Sequence, residues 1–227
     1  MRRVVLFDID GTLISGGPAK DAFCEAMLET FGTTGAVDEV SFAGKTDPQI
    51  VRELLAGVGY DSARVESSLP DLFRRYLGKL EAHLPNRPVD VLPGVPELLT
   101  ALSEMEDIGV ALLTGNIAGG AELKLRSAAL WGHFELGSYG SDHEERDQLP
   151  AIALERARRA WRETIEPSDA IVVGDTPRDV SCGRREGTRT LAVATGYFSF
   201  DQLVETGADH VLEDLSATDE VLALLTV

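Results

Sequence analysis

Asp8 and Asp10 stand two residues apart at the end of a short apolar run, in the order Asp8-Ile9-Asp10-Gly11-Thr12-Leu13. Thr114-Gly115-Asn116 and Gly174-Asp175-Thr176-Pro177-Arg178-Asp179 close two further apolar runs. Clustered carboxylates repel one another unless a positive charge sits among them. Mg²⁺ meets that need, because it takes few carboxylates and keeps room for water and phosphate oxygens. Beside such a cation one aspartate can attack phosphorus as a covalent nucleophile. A second can hand a proton to the leaving oxygen and later take one from water. A sharp turn at Gly11-Thr12 would bring backbone N–H groups toward the phosphoryl oxygens. Any one of these positions could equally be a turn or a helix cap. Three of them at successive run ends make coincidence the weaker reading.

The runs themselves read as strands. Residues 4–7, 110–114, 170–175 and 190–194, and the shorter 209–212, are continuous apolar stretches suited to a parallel sheet buried on both faces. Helical patterns at 93–108, 118–130, 150–163, 177–186, 200–205 and 219–225 alternate with them. This alternation predicts a three-layer, Rossmann-like α/β domain with a mainly parallel sheet and right-handed crossovers. In such a sheet, ligands bind beyond the carboxyl ends of the strands, where the polar residues above fall. The stretch before Pro93 breaks the pattern, with helices expected at 19–31, 47–57 and 62–83 and no good strand candidate. The simplest reading is a helical subdomain, 16–87, inserted into a core formed by 1–15 and 88–227. Gly16-Gly17-Pro18 and Pro85-Asn86-Arg87-Pro88 would be its two connections, able to act as hinges.

Composition excludes some partners. The net charge of −17 repels nucleic acid and anionic lipid. It also repels phosphorylated substrates, so a phosphate site must carry its own positive charge. No run approaches a membrane span, and the few apolar residues after Met1-Arg2-Arg3 are too short for a secretory signal. The two cysteines, Cys24 and Cys182, show no ligand spacing and fit a reducing, cytoplasmic setting. His83, His133, His143 and His210 share no spacing and read as surface or structural residues, and Trp131 and Trp161 as packing residues.

The pattern Asp8-x-Asp10-Gly11-Thr12-Leu13 resembles the first motif of the haloacid dehalogenase-like (HAD) hydrolases. Thr114-Gly115-Asn116 resembles the second motif, and Gly174-Asp175-x-x-x-Asp179 the fourth. The inserted helices resemble a C1-type cap, and the small cap with its Gly44-Lys45 loop is similar to the phosphoglycolate-phosphatase branch. The resemblance implies that Asp8 is the nucleophile and a Mg²⁺ ligand. It implies that Asp10 is the general acid/base and ligates Mg²⁺ through its carbonyl. Thr114, with Gly115 or Asn116, would hold the phosphoryl group. Asp175 would complete the protein ligands, and Asp179 would be a further ligand or support them. A third-motif lysine is expected upstream of the fourth motif, yet no lysine follows Lys124. Arg146 stands in that place and is preferred; Lys124 is the competitor. Lys45 would face the leaving group.

The reaction implied is Mg²⁺-dependent hydrolysis of a small phosphorylated metabolite, by a monomer or homodimer. Asp10 argues against dehalogenation, and against phosphonate hydrolysis through a Schiff base on the cap lysines Lys45 or Lys20. A β-phosphoglucomutase-like phosphomutase keeps both aspartates and stays open. Signalling receiver domains also use an acidic cluster, but they are shorter and lack the Asp8-x-Asp10-Gly11 pattern. A catalytically silent binding protein on the same scaffold would be expected to have lost a key aspartate.

Overall fold

The computed structural model describes residues 3–226. The reading of Met1 and Arg2, and the outermost ends of 1–15 and 88–227, lie outside the described residues. Strand β1 (Arg3–Phe7) is followed by β2 (Ile14–Gly16) and helices α1 (Ala19–Phe31), α2 (Asp47–Ala56) and α3 (Ser62–His83). Then come β3 (Val89–Val91), α4 (Val95–Ser103), β4 (Ile108–Thr114), α5 (Ala118–Ser127) and β5 (Gly137–Tyr139). A 3₁₀ turn at Arg146–Gln148 leads into α6 (Leu149–Trp161), β6 (Ala170–Gly174), α7 (Pro177–Glu186) and β7 (Arg189–Val193). Helix α8 (Phe200–Val204), β8 (His210–Leu212) and α9 (Thr218–Thr226) complete the chain.

Six strands form one parallel sheet in the order β5-β4-β1-β6-β7-β8. Strand β1 is central because all four of its apolar residues are fully buried, two to each face. Val4 and Leu6 pack with Ala111, Leu113 and Val172 beneath Leu149, Ala153 and Leu154 of α6. Val5 and Phe7 face the other layer, with Leu98 and Leu102 of α4, Leu125 of α5 and Val221 of α9. Burying each such side chain stabilises the fold by about 1.5–3 kcal/mol before entropy is counted. Phe7 pairs in register with Leu112 on one side and Val173 on the other. The chain runs from β1 to β4 on one flank and later to β6 on the other. That change of direction makes the carboxyl end of β1 a crevice between Thr114 and Asp175.

The expected three-layer α/β architecture is observed, with three differences. Strands β2 and β3 form a two-stranded antiparallel ribbon, Gly16 opposite Val89, where no strand is expected. Three residues each give no readable period, and Ser15-Gly16 are poor strand formers. Strand β5 is equally short and was not expected. Helix α4 ends at Ser103, and Ile108 belongs to β4, although the apolar pattern runs on to 108.

Helices α1 to α3 stand between β2 and β3 and pack on one another, α1 against α3. Helix α2 starts at the Thr46 cap, whose hydroxyl accepts from Gln49 N–H, with Pro48 in the first turn. Helix α3 starts at Asp61, which accepts from Arg64 N–H. Phe23, Phe42 and Tyr76 meet edge to face, and their core runs on without a break into that of α4 and α5. Among the described residues no helix is long and apolar enough to cross a membrane.

Candidate active site

The carboxyl ends of β1, β4 and β6 open on a cleft of about 730 Å³. Asp8, Asp10, Gly11, Thr114, Gly115, Asn116, Lys124, Arg146, Asp175 and Lys45 all line it. Asp179 lies beneath, 1% exposed, and is held by the start of α7. Thr176 N–H and Oγ donate to Asp179 Oδ2 at 3.0 and 2.7 Å, and the Asp179 N–H returns a bond to the Thr176 hydroxyl, forming a capping box.

Arg146 and Lys124, expected to compete for one role, occupy two places. The Arg146 guanidinium is buried and donates to Asp8 Oδ1 at 2.9 Å and to Asp179 Oδ1. It makes no surface pair with Glu144 or Asp147; Asp147 is paired with Arg185. Lys124 projects from the buried face of α5 and donates to both Asp10 carboxylate oxygens at 2.8 Å and to Asn116 Oδ1 at 2.7 Å. Asn116 Nδ2 donates in turn to Asp10 Oδ2 at 2.7 Å and to Thr114 Oγ at 2.8 Å. Thr114 Oγ also accepts from the Asn116 N–H at 3.3 Å, so both lone pairs of its hydroxyl are engaged and its O–H is left to donate.

The electrostatics set Asp8 and Asp175 apart from Asp10. Burial pushes Asp8 up to about 7 against the pull of Arg146. Burial, then the charges of Asp179 and Asp8, push Asp175 up to about 9. Asp10 goes the other way. Desolvation in the cleft opposes its ionisation, but the charge and hydrogen bonds of Lys124, with those of Asn116, hold it below the usual carboxylate range.

The acidic group fits a hard cation. One carboxylate oxygen each of Asp8, Asp175 and Asp179 lies within 4.8 Å of the others. Asp175 Oδ1 is buried without a hydrogen-bond partner. Arg146 alone cannot balance three carboxylates, and an all-oxygen donor set suits Mg²⁺. The Asp10 carboxylate is not part of this group.

Several expectations need correction. The N–H groups of Gly11 and Thr12 are bonded within their own turn, to Ile14 and Ile9 carbonyls at 2.8 and 3.3 Å, so they are not presented to the cleft. Thr12 is buried and does not line it. Gly11 instead serves by its conformation: φ is +87°, and a Cβ there would meet Asp175 Oδ2 at 2.3 Å. Lys45 lines the cleft, but its ammonium is committed to Glu53, which Gln49 also holds.

Other residues were missed. Gly196 leaves space for Asp175, since a Cβ would lie 1.7 Å from Oδ2. The neighbouring Thr195 hydroxyl donates to the Gly11 carbonyl. Asp47 joins the helical insertion to the core: its N–H donates to the Gly115 carbonyl, and its Oδ2 accepts from Ile117 N–H, both at 2.8 Å. Burial pushes it up to about 6 against the charge of Lys124. Thr46 adds a bond from its hydroxyl to the Glu144 carbonyl at 2.6 Å. The only sequence signal for this junction is Asp47-Pro48 as a helix start, read with Asp47 as the cap where the structure has Thr46. His83 pairs with Glu25 on the surface, far in sequence from the cleft residues of β4 and β6.

This geometry agrees with similarity to known proteins. The chain is 29% identical over 219 residues to phosphoglycolate phosphatase 1 of Pseudomonas aeruginosa, covering 94% of this chain and 77% of that one. It is 29% identical over 227 residues to the N-acetylmuramic acid 6-phosphate phosphatase of the same organism, covering 93% and 90%. A hydrolase structure from Pseudomonas syringae superposes with a TM-score of 0.73 at 20% identity, over 100% of both chains. A sequence profile described as haloacid dehalogenase-like hydrolase matches residues 5–193. The chain belongs to the haloacid dehalogenase-like hydrolase family.

Proposed function

We propose that the protein is a Mg²⁺-dependent phosphatase that hydrolyses a small phosphomonoester through an aspartyl-phosphate on Asp8. The observation that carries this reading is the division of charge in the cleft. Asp8 sits with Asp175, Asp179 and Arg146, while Asp10 is held apart by Lys124 and Asn116.

Asp8 is the carboxylate placed to attack phosphorus. Arg146 fixes its orientation and offsets the charge of Asp179. Thr114 donates its free O–H to a phosphoryl oxygen. To act as acid, Asp10 must first take up a proton against the pull of Lys124 and pass it to the leaving alcohol; as the carboxylate it then accepts one from the water that opens the acyl phosphate. Lys124 positions Asp10 for both steps. Mg²⁺, held by Asp8, Asp175 and the Asp10 carbonyl with Asp179 in support, would supply positive charge to the phosphoryl oxygens. Residues 16–87 act as the cap, closing on the core formed by 1–15 and 88–227 through the Asp47 junction and leaving through the β2–β3 ribbon.

The similarity to a phosphoglycolate phosphatase and to an amino-sugar phosphate phosphatase supports phosphoglycolate-like or sugar-phosphate substrates. The free thiols of Cys24 and Cys182 support a cytoplasmic enzyme. The test is a metabolite panel with Mg²⁺, reading free phosphate, with Asp8→Asn as control. Release from at least one small phosphomonoester, lost in Asp8→Asn, is the expected result. Transfer of labelled phosphoryl between sugar phosphates without release would instead make it a phosphomutase.

A further inference from the structure

Five cations line the cleft: Lys20, Lys45, Arg87, Lys124 and Arg146. Four are ion-paired. Arg146 is held by Asp8 and Asp179, Lys124 by Asp10, Lys45 by Glu53 and Arg87 by Asp21. Among the described residues Lys20 has no carboxylate partner. Its ammonium lies over the Phe42 ring, 5.5 Å from the centroid.

Lys20 opens α1, just beyond Gly16 and Gly17, and Phe42 lies on the loop that leads to Lys45. Both residues line the same cleft as Asp8 and Asp175. A substrate anion that used Lys45 would have to displace Glu53, a carboxylate also held by Gln49. An anion that used Lys20 would break no ion pair, and the aromatic face already limits where the ammonium goes. The other four cations lining the cleft are paired, so their charge is already offset by carboxylates of the protein.

We propose that Lys20 is the specificity-determining cation for a second anionic group on the leaving alcohol, and that the preferred substrates are short phosphomonoesters ending in a carboxylate. This rests on the phosphatase reading above.

The test compares 2-phosphoglycolate with ethyl phosphate, which lacks the carboxylate, in the Mg²⁺-loaded wild type, Lys20→Gln, Lys20→Arg and Lys45→Gln. The wild type should prefer 2-phosphoglycolate in kcat/KM. Lys20→Gln should raise KM for 2-phosphoglycolate roughly tenfold, the scale of one charge-assisted contact, with ethyl phosphate changed less than about twofold. Lys20→Arg should restore most of the preference, and Lys45→Gln should leave more of it than Lys20→Gln does. Equal effects on both esters, no preference in the wild type, or loss of preference only in Lys45→Gln would overturn the assignment. p-Nitrophenyl phosphate separates the two levels: turnover of it without carboxylate preference removes the Lys20 proposal alone, whereas no turnover of any ester removes the phosphatase reading.

Discussion

Arg146 Nη2 lies 2.9 Å from Asp8 Oδ1 and also contacts Asp179 Oδ1, so one buried guanidinium bridges two carboxylates of the acidic group. Both bonds come from the one nitrogen, Nη2, so a lysine could supply the charge from this place but not the planar shape of the guanidinium. The bridge ties Asp8, at the end of β1, to α7 through a residue of the 3₁₀ turn before α6.

Removing the bridge has a predictable cost. Arg146→Ala leaves three carboxylates facing one another and should lower stability by about 3–5 kcal/mol, as for other broken buried pairs. It should lower kcat by about 10²- to 10³-fold. Arg146→Lys should recover part of both. Steady-state turnover of p-nitrophenyl phosphate with Mg²⁺, beside urea unfolding, measures the two effects. Unchanged kcat in a folded Arg146→Ala protein would contradict the role.

Lys124 acts on a different aspartate. Lys124→Ala should free the Asp10 carboxyl to rise from its lowered position, since the lysine is the chief group holding it down. The limb of the pH–kcat profile set by Asp10 acting as base should then move to higher pH, and loss of its positioning should lower kcat about 10- to 100-fold at neutral pH. Asp10→Asn should instead trap the covalent intermediate. Acid-quenched mass spectrometry should find one phosphoryl group on Asp8, and its absence at every quench time would count against the assignment.

Cation binding should be read most clearly through stability. Without a cation, Asp8 and Asp175 are raised to about 7 and about 9. The folded chain therefore holds protons that the unfolded chain releases near 4. The contribution of these two groups to stability falls as pH climbs from about 4 through 9. Mg²⁺ binds the ionised carboxylates, so its stabilisation should grow over the same window. At 100 times Kd the gain is about 2.7 kcal/mol, or roughly 5–10 °C in Tm for a chain of this size. Thermal melts with EDTA or Mg²⁺ at pH 5.5 and 8.5 test this; an equal Mg²⁺ shift at both would be inconsistent with these carboxylates as ligands.

Gly196→Ala should behave as a site variant although it carries no side chain. Its Cβ would fall 1.7 Å from Asp175 Oδ2, so the carboxylate must move. Mg²⁺ affinity should drop about 10- to 100-fold, as when groups that orient a ligand are lost. Calorimetric titration with Mg²⁺, beside Gly132→Ala in open space, gives the comparison.

Much of the fold was legible because long apolar runs alternate with helical periods. Strands β1, β4, β6 and β7 and helices α1, α2 and α3 fall where the pattern puts them, within two residues at most ends. The short strands β2, β3 and β5 were not legible, because three residues carry no period and their pairing is decided by neighbours distant in sequence.

Asp8, Asp10, Thr114, Asp175 and Asp179 could be located from the chain alone, because each follows directly from a local event: a buried run ends and a polar residue must stand at the strand terminus or helix cap. Which cation meets which carboxylate could not. Arg146 reaches Asp8 across 138 residues and Lys124 reaches Asp10 across 114. Both cations were named from sequence, but as rivals for one place. Lys45 was named as facing the leaving group and its ammonium is paired with Glu53, and Gly196 was not named at all. The physical reason is the same for each. Ion pairing and close packing depend on sheet order, on loop course and on how far water is excluded at the point of contact, and these exist only once β1 lies between β4 and β6.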